Sequence, residues 1–307
     1  MLFSTNHHPK LYSPPTLTRC NSEIQLLLED TTENFVILDD KNGTITNLLS
    51  ELPKSQGGQW AKELIIRNRI VRLPFSFSDS DSTFSSIVND AQPHGSFVSN
   101  DQDSRLLLIG SDIFLVENYI GSNFRNEFKS FKFNQWYPEG GLTVENFREN
   151  ILRPICKYAR KIHIIDKYVL SITAGVNTQE NLNIILEVVN ENSSFIEKIV
   201  LHTKTNYDKK QVGMRLRLIQ LLQEMVATFT GLSGKIEYKM YDTSDGDFPP
   251  HDRFIITDQI GIQLGQGAVN LFDIDENWRD ATISYINNPG SVLKELDALP
   301  IFVKSNL

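Results

Sequence analysis

Cysteine is scarce in this sequence, with only Cys20 and Cys156 among 307 residues. The two are far apart and show no metal-ligand spacing, so we expect neither a disulfide framework nor a cysteine zinc site. This usage is typical of a reducing compartment and predicts a cytoplasmic protein. No apolar run approaches the roughly 18 residues of a membrane span, and the first residues lack the pattern of a secretion signal. We therefore expect no membrane association.

The sequence also lacks an excess of positive charge. Its net charge is -8 and its pI is about 5.3, so the chain as a whole does not attract nucleic acid or anionic lipid. Any polyanion must be held by a local basic patch. One candidate patch consists of Lys204, Lys209, Lys210, Arg215 and Arg217. The alternative interpretation of these residues is the solvated face of a helix.

The order of the predicted elements indicates an α/β protein with two domains, residues 1–135 and 136–307. The polar, proline-containing stretch up to Thr18 predicts an arm on the surface. In the C-terminal half, helices alternate with strands, which favours a mostly parallel sheet flanked by helices. The strands predicted there are 161–166, 198–202, 235–241, 252–257 and 261–264. Functional groups are expected at the carboxyl ends of such strands.

The most informative motif is His251, Arg253 and Asp258 around an apolar, strand-like run. Residues two apart lie on one face of an extended strand, so the imidazole and the guanidinium face the same cleft. An imidazole can bond to phosphorus while a cation neutralises the charge that builds on the phosphate oxygens. The alternative is a surface triplet with a local ion pair.

The motif continues with six residues after the aspartate, then Gly265, with Asn270 close behind. This pattern resembles the phospholipase D superfamily, whose half-site contains His, any residue, Lys, four residues, Asp, six residues and Gly-Ser. Arg253 stands where the family has lysine, and Gln266 where it commonly has serine. The resemblance is strongest over residues 148–272.

This resemblance implies a phosphodiesterase that needs no metal and no cofactor. His251 would be the nucleophile or general acid, Arg253 the phosphate clamp and Asp258 the orienting carboxylate. Gly265 and Asn270 would lie near the substrate. A complete site in this family uses two histidine motifs and this chain has one, so the resemblance implies a homodimer. We expect nucleic acid as the substrate, in a setting such as bacterial phage defence. The alternative is a non-catalytic module that binds a phosphate group or a partner protein.

Two further residues are candidates for substrate binding. Asp166 follows a predicted buried strand, and it either lies in the cleft and positions Arg253 or His251, or caps a helix or loop. Lys204 follows the next strand and begins the basic patch. His163 and His202 lie within apolar strands, where we expect core histidines with satisfied hydrogen bonds.

The N-terminal half contains a weaker set of acids: Asp39, Asp40, Glu63, Asp101 and Asp103. Carboxylates at strand ends can hold a divalent ion that activates water. Their order is faintly similar to the PIN-type ribonuclease pattern, which would imply a metal site there. The alternative is that these acids lie in solvated loops and helix caps.

Overall fold

The computed structural model describes most of the chain and divides it into two compact units, Leu2–Phe131 and Lys132–Leu307. The described residues are 3–74, 84–91, 93–99, 113–130, 134–138, 141–166, 177–204, 212–241, 253–265, 281–286 and 289–306. The assignment of two domains stays a prediction, and its proposed boundary after residue 135 falls inside a strand of the C-terminal unit.

The N-terminal unit contains a five-stranded parallel sheet and short helices. Its strands are β1 (Phe3–His7), β2 (Phe35–Asp39), β3 (Ile70–Arg72), β4 (Gly95–Val98) and β5 (Ile113–Leu115). Its helices are Pro14–Arg19, Asn21–Asn34, Thr44–Ser50, Gly58–Ile66 and Asn123–Ser130, with shorter turns at Pro9–Tyr12, Lys54–Gln56, Ile87–Ala91 and Val116–Gly121. The strand order is β3-β2-β1-β4-β5, and every pairing is parallel.

The surface arm predicted for the first residues is wrong. Strand β1 lies at the centre of the parallel sheet, between β2 and β4. It is too polar to be recognised as a buried strand, but its polar groups have partners in the core. Thr5 donates its hydroxyl hydrogen to the carbonyl of Val36, and the Asn6 amide donates to the carbonyl of Phe84. These bonds offset the cost of burying polar side chains.

The C-terminal unit contains an eight-stranded sheet. Its strands are β6 (Asn134–Tyr137), β7 (Lys161–Ile165), β8 (Lys198–Lys204), β9 (Ile236–Tyr241), β10 (Arg253–Thr257), β11 (Gly261–Leu264), β12 (Ala281–Ile286) and β13 (Ile301–Asn306). Its helices are Val144–Phe147, Arg153–Cys156, Asn177–Glu191, Val212–Ala227 and Gly290–Asp297, with shorter turns at Arg148–Leu152 and Thr230–Leu232. The strand order is β13-β9-β8-β7-β10-β11-β12-β6.

The α/β class is confirmed, but the C-terminal sheet is mixed rather than mostly parallel. Only β7, β8 and β9 pair in parallel; the flanking pairings are antiparallel. The reason is visible between β10 and β11, where only Asp258, Gln259 and Ile260 connect the strands. A parallel crossover needs a dozen or more residues, so this short connection forces an antiparallel hairpin. The Thr257 hydroxyl oxygen stabilises the turn by accepting the amide hydrogens of Gln259 and Ile260.

Strand register assigns the side chains of the C-terminal sheet to two faces. Ile165 is paired with Phe254 and His163 with Ile256, so these four side chains share one face. Helix Gly290–Asp297 packs on that face, where Leu296 joins the buried cluster of Ile165, Tyr241, Phe254 and Ile256. Ile164 and Ile255 face the other side.

Candidate functional site

The carboxyl edge of the parallel strands brings three of the predicted site residues to one end of the C-terminal sheet. Asp166 follows β7 directly, and Lys204 is the last residue of β8. Strand β10 runs antiparallel to β7, so its first residue, Arg253, lies at the same edge. The clustering of functional groups at this edge follows from strand direction.

Asp166 and Arg253 form a buried ion pair at this edge. Arg253 Nε lies 3.5 Å from Asp166 Oδ1, and the side chains are 12% and 0% exposed. The Asp166 amide also donates to the His202 carbonyl at 3.0 Å, which fixes the start of its loop on β8. Asp166 therefore lies beside Arg253, and its role in positioning that side chain stays a prediction.

Lys204 belongs to the opposite face from this ion pair. Ile165 is paired with His202, so Asp166 is on the side of Thr203 and Lys204 is on the other side. Lys204 therefore contributes positive charge near the edge rather than a direct contact with Arg253. The remaining basic side chains of the predicted patch lie outside the described residues or have undescribed side chains.

Three motif residues, His251, Gln266 and Asn270, lie outside the described residues. Gly265 is described and ends the β11 hairpin arm, where its amide donates to the Thr282 carbonyl at 3.0 Å. A Cβ at residue 265 would lie no closer than 3.5 Å to Thr282, which is an ordinary contact. The described neighbours therefore do not require glycine at this position.

Asp258 lies at the other end of β10 from Arg253. Five residues of extended strand separate the two, roughly 17 Å at about 3.4 Å per residue. Its Oδ1 accepts the amide hydrogens of Arg160 and Lys161 at 3.0 and 3.3 Å, so it holds the start of β7. Burial raises the pKa of Asp258 above its usual value, and these backbone bonds act in the opposite direction. Asp258 therefore holds the β7–β10 contact at the far end of the strand from Arg253, whereas we expected it to orient the catalytic imidazole.

A hydrogen-bonded chain of three rings crosses the face under helix Gly290–Asp297. His163 Nδ1 lies 2.8 Å from His202 Nε2, and His202 Nδ1 lies 2.8 Å from the Tyr241 hydroxyl. The prediction of satisfied core histidines is confirmed. Burial lowers the pKa of His163 to about 4 and that of His202 to about 2, so both rings are neutral near pH 7. Tyr241 was missed, because its partnership depends on strand register and has no sequence signal.

The described N-terminal acids do not gather into a metal site. Asp39 and Asp40 cap the start of helix Thr44–Ser50 through the hydrogen bonds donated by Asp40, Thr44, Ile45 and Thr46. Glu63 is ion-paired with Arg67 at 2.5 Å. Within the described part of the chain, no three His, Cys, Asp or Glu side chains are arranged to hold a metal ion. Asp101 and Asp103 lie outside that part.

The two cysteines are free and buried. Among the helices that the structure describes, none combines the length and the apolar character needed to cross a bilayer.

Comparisons with known proteins give only weak likenesses. No family model and no curated protein matches the chain. It is similar to a phosphatidylserine synthase of Haemophilus influenzae Rd KW20, with a TM-score of 0.33 and 12% identity over 54% of this chain; the match spans only 35% of the synthase. It is also similar to TrmBL2, an archaeal chromatin protein with a novel mode of DNA binding, with a TM-score of 0.26 and 11% identity over 95% of this chain and 96% of that one. Scores this low assign neither a family nor a function.

Proposed function

We propose that the C-terminal unit is a metal-independent phosphodiesterase of the phospholipase D type that cleaves nucleic acid as a homodimer. The observation that carries this proposal is the Asp166–Arg253 ion pair at the carboxyl edge of the sheet. It lies at the start of β10, two residues after His251 in the sequence. The described residues thus supply a buried cation two residues along the chain from the histidine that the motif uses as its nucleophile.

The ion pair prepares Arg253 for phosphate. A guanidinium carries five N–H groups in a planar fork that matches phosphate oxygens. The Asp166 carboxylate attracts the guanidinium by charge, which holds the Arg253 side chain at this edge of the sheet. Asp166 would therefore act as a positioning residue for Arg253, which is one of the two roles that the sequence suggested for it.

The chemistry follows from this arrangement. The His251 ring forms a bond to phosphorus as the bond to the leaving oxygen breaks, and water then cleaves the phosphohistidine. Arg253 stabilises the charge on the equatorial oxygens in both steps. The leaving oxygen needs a proton, which a second histidine motif would provide. Because the sequence has one such motif, the proposal requires a second copy of the chain.

The remaining parts of the proposal rest on the sequence. Lys204 and the basic residues after it would attract the nucleic acid backbone, and Gly265 and Asn270 would lie beside the bound substrate. The N-terminal unit would select the substrate or a partner. A cytoplasmic role in phage defence is consistent with a nuclease joined to a second unit.

A second candidate is a non-catalytic module that binds a phosphate group or a partner protein. The observation that favours it is the same ion pair: Asp166 is fully buried and already balances the charge of Arg253. A balanced guanidinium attracts a dianionic transition state less strongly than an unbalanced one does.

Cleavage assays in EDTA on RNA and on single- and double-stranded DNA distinguish the two candidates. The enzyme proposal expects cleavage by the wild type, loss of cleavage in His251→Ala, and a loss of about a hundredfold or more in Arg253→Met. The matched control is His94→Ala, an exposed histidine of the N-terminal unit. Binding without cleavage would establish the module instead.

The oligomeric state is tested separately by the mass of the protein in solution. A dimer is expected at the concentrations of the assay. Cleavage by a strict monomer would contradict the shared-site model.

A further inference from the structure

The order of strands in the N-terminal sheet creates a second place where ligands bind in proteins of this architecture. The chain runs from β1 through β2 to β3 on one side and then places β4 and β5 on the other side of β1. The order therefore reverses between β1 and β4. In open parallel sheets, ligand crevices lie outside the carboxyl ends of the strands at such a reversal.

His7, the last residue of β1, lies at this point with an unsatisfied nitrogen. The residue is 1% exposed, and its Nδ1 lies 2.5 Å from the hydroxyl of Tyr12. Its Nε2 has no hydrogen-bonding partner in the described part of the chain. Buried polar atoms without partners are rare in proteins, because the lost hydrogen bonds to water are not replaced. Several other buried polar atoms of the described chain share this state, and His7 Nε2 is distinguished by its place at the sheet reversal.

Hydrogen-bond satisfaction decides which proton His7 carries. Burial lowers the pKa of His7 to about 3, so the ring is neutral and has one N–H. If Nδ1 held that hydrogen, it would donate to the Tyr12 oxygen. The buried Tyr12 hydroxyl hydrogen would then lose its one described acceptor, and Nε2, as an acceptor, would have no donor. If Tyr12 donates to Nδ1, only the Nε2 hydrogen lacks a partner. The second arrangement leaves fewer groups unsatisfied, so Nε2 is a donor that requires an acceptor.

The residues around His7 favour an uncharged ligand as the acceptor of the Nε2 hydrogen. Asp39 ends the neighbouring strand β2, one residue beyond the Asn6–Leu38 pair of the ladder, and so lies opposite His7. Burial and, secondarily, the charge of Asp39 raise the pKa of Tyr12, which places the field of this carboxylate at the site. A negative field disfavours phosphate and carboxylate ligands. An aromatic ring also packs against His7: the Phe97 ring is edge-on to it, with centroids 5.7 Å apart.

We propose that this edge of the N-terminal sheet binds a neutral planar heterocycle of the nucleobase type, whose carbonyl oxygen or ring nitrogen accepts a hydrogen bond from His7 Nε2. Tyr12 is the positioning residue, since its hydroxyl holds the tautomer that makes Nε2 a donor. This site is separate from the ion pair of the C-terminal unit and does not depend on phosphodiester cleavage.

Titration of the full-length protein with adenosine, guanosine, cytidine and uridine tests this site with uncharged probes. The ¹⁵N resonance of His7 Nε2 reports directly on the hydrogen bond in the wild type. At least one nucleoside is expected to bind saturably and to shift this resonance. His7→Phe is expected to weaken binding by about tenfold or more, which corresponds to the loss of one hydrogen bond. Tyr12→Phe removes the hydroxyl that favours the Nε2-protonated tautomer of His7, and it is expected to weaken nucleoside binding less than His7→Phe does.

Two variants serve as controls. His94→Asn changes a histidine at the amino edge of the same sheet, keeps an acceptor for the Ser4 amide, and should bind like the wild type. Arg253→Met should also bind like the wild type, so failure of the C-terminal proposal leaves this one standing. The proposal is overturned if no nucleoside shifts the His7 resonance at millimolar concentration. It is also overturned if His7→Phe binds unchanged or if inorganic phosphate displaces the nucleoside.

Discussion

Lowering the pH from about 7 to about 4 should destabilise the C-terminal unit, because His163 and His202 are buried as neutral rings. The pKa of His163 is lowered from 6.5 to about 4, mainly by burial. Nearby charges modify this effect: Lys239, Lys161 and Lys198 lower the pKa further, and Asp297 raises it. His202 is still more buried and has the protonated form of His163 as an unfavourable neighbour.

The sign and size of the effect follow from linkage. Between pH 6.5 and about 4, the unfolded chain binds a proton at His163 and the folded chain does not. Protons therefore favour unfolding in this window, and the free energy of unfolding falls as the pH falls through it. At about 1.4 kcal/mol for each tenfold difference in proton affinity, His163 contributes about 3 kcal/mol across the window.

Urea denaturation followed by circular dichroism, at pH values from about 7 to about 4, measures this contribution. His163→Asn keeps an amide near the position of Nδ1 but does not titrate, so its free energy of unfolding should depend less steeply on pH than that of the wild type. His94→Asn, whose side-chain oxygen can still accept the amide hydrogen of Ser4, controls for the loss of a histidine from the N-terminal unit. Equal slopes for His163→Asn and the wild type would refute the assignment of a neutral, buried His163.

Three other substitutions test the structural assignments, each by chemical denaturation. Asp166→Ala leaves the Arg253 guanidinium without its carboxylate and should lower the free energy of unfolding by about 3 kcal/mol or more. The double variant Asp166→Leu, Arg253→Met removes both charges and should cost much less. Additive losses of stability would contradict a coupled pair. Asp258→Ala removes the acceptor of two backbone N–H groups and should cost about 1–3 kcal/mol, and a neutral effect would exclude its role at β7. Asp39→Ala removes a helix cap and should cost about 2 kcal/mol, against a near-neutral Lys41→Ala control in the same turn.

Local pattern was sufficient for several elements. The apolar run over 34–39 forms β2 at Phe35–Asp39, because five consecutive buried residues suit a strand covered on both faces. The turn at Gly43 was also predictable, since this residue has a φ of 74°, which glycine adopts at little cost. Strands β7, β10 and β11 lie within one residue of their predicted bounds for the same reason as β2.

Non-local partners explain the elements that were missed. Strand β1 is polar, and its burial becomes favourable only because Val36 and Phe84, far along the chain, accept its hydrogen bonds. Strand β6 is short and has an exposed tryptophan, so it becomes a strand only by pairing with β12. The place of Asp258 could not be predicted for a similar reason: only strand direction determines which end of β10 lies at the carboxyl edge of the sheet.

Taken alone, the sequence determined the α/β class, the spacing of the motif, and the placement of His163 and His202 within apolar strands, because side-chain periodicity and residue chemistry are local properties. The tertiary structure decided the strand order, the mixed sheet, the Asp166–Arg253 pair and the unsatisfied nitrogen of His7. These features join residues distant in the chain, and they depend on register and burial that no local pattern encodes.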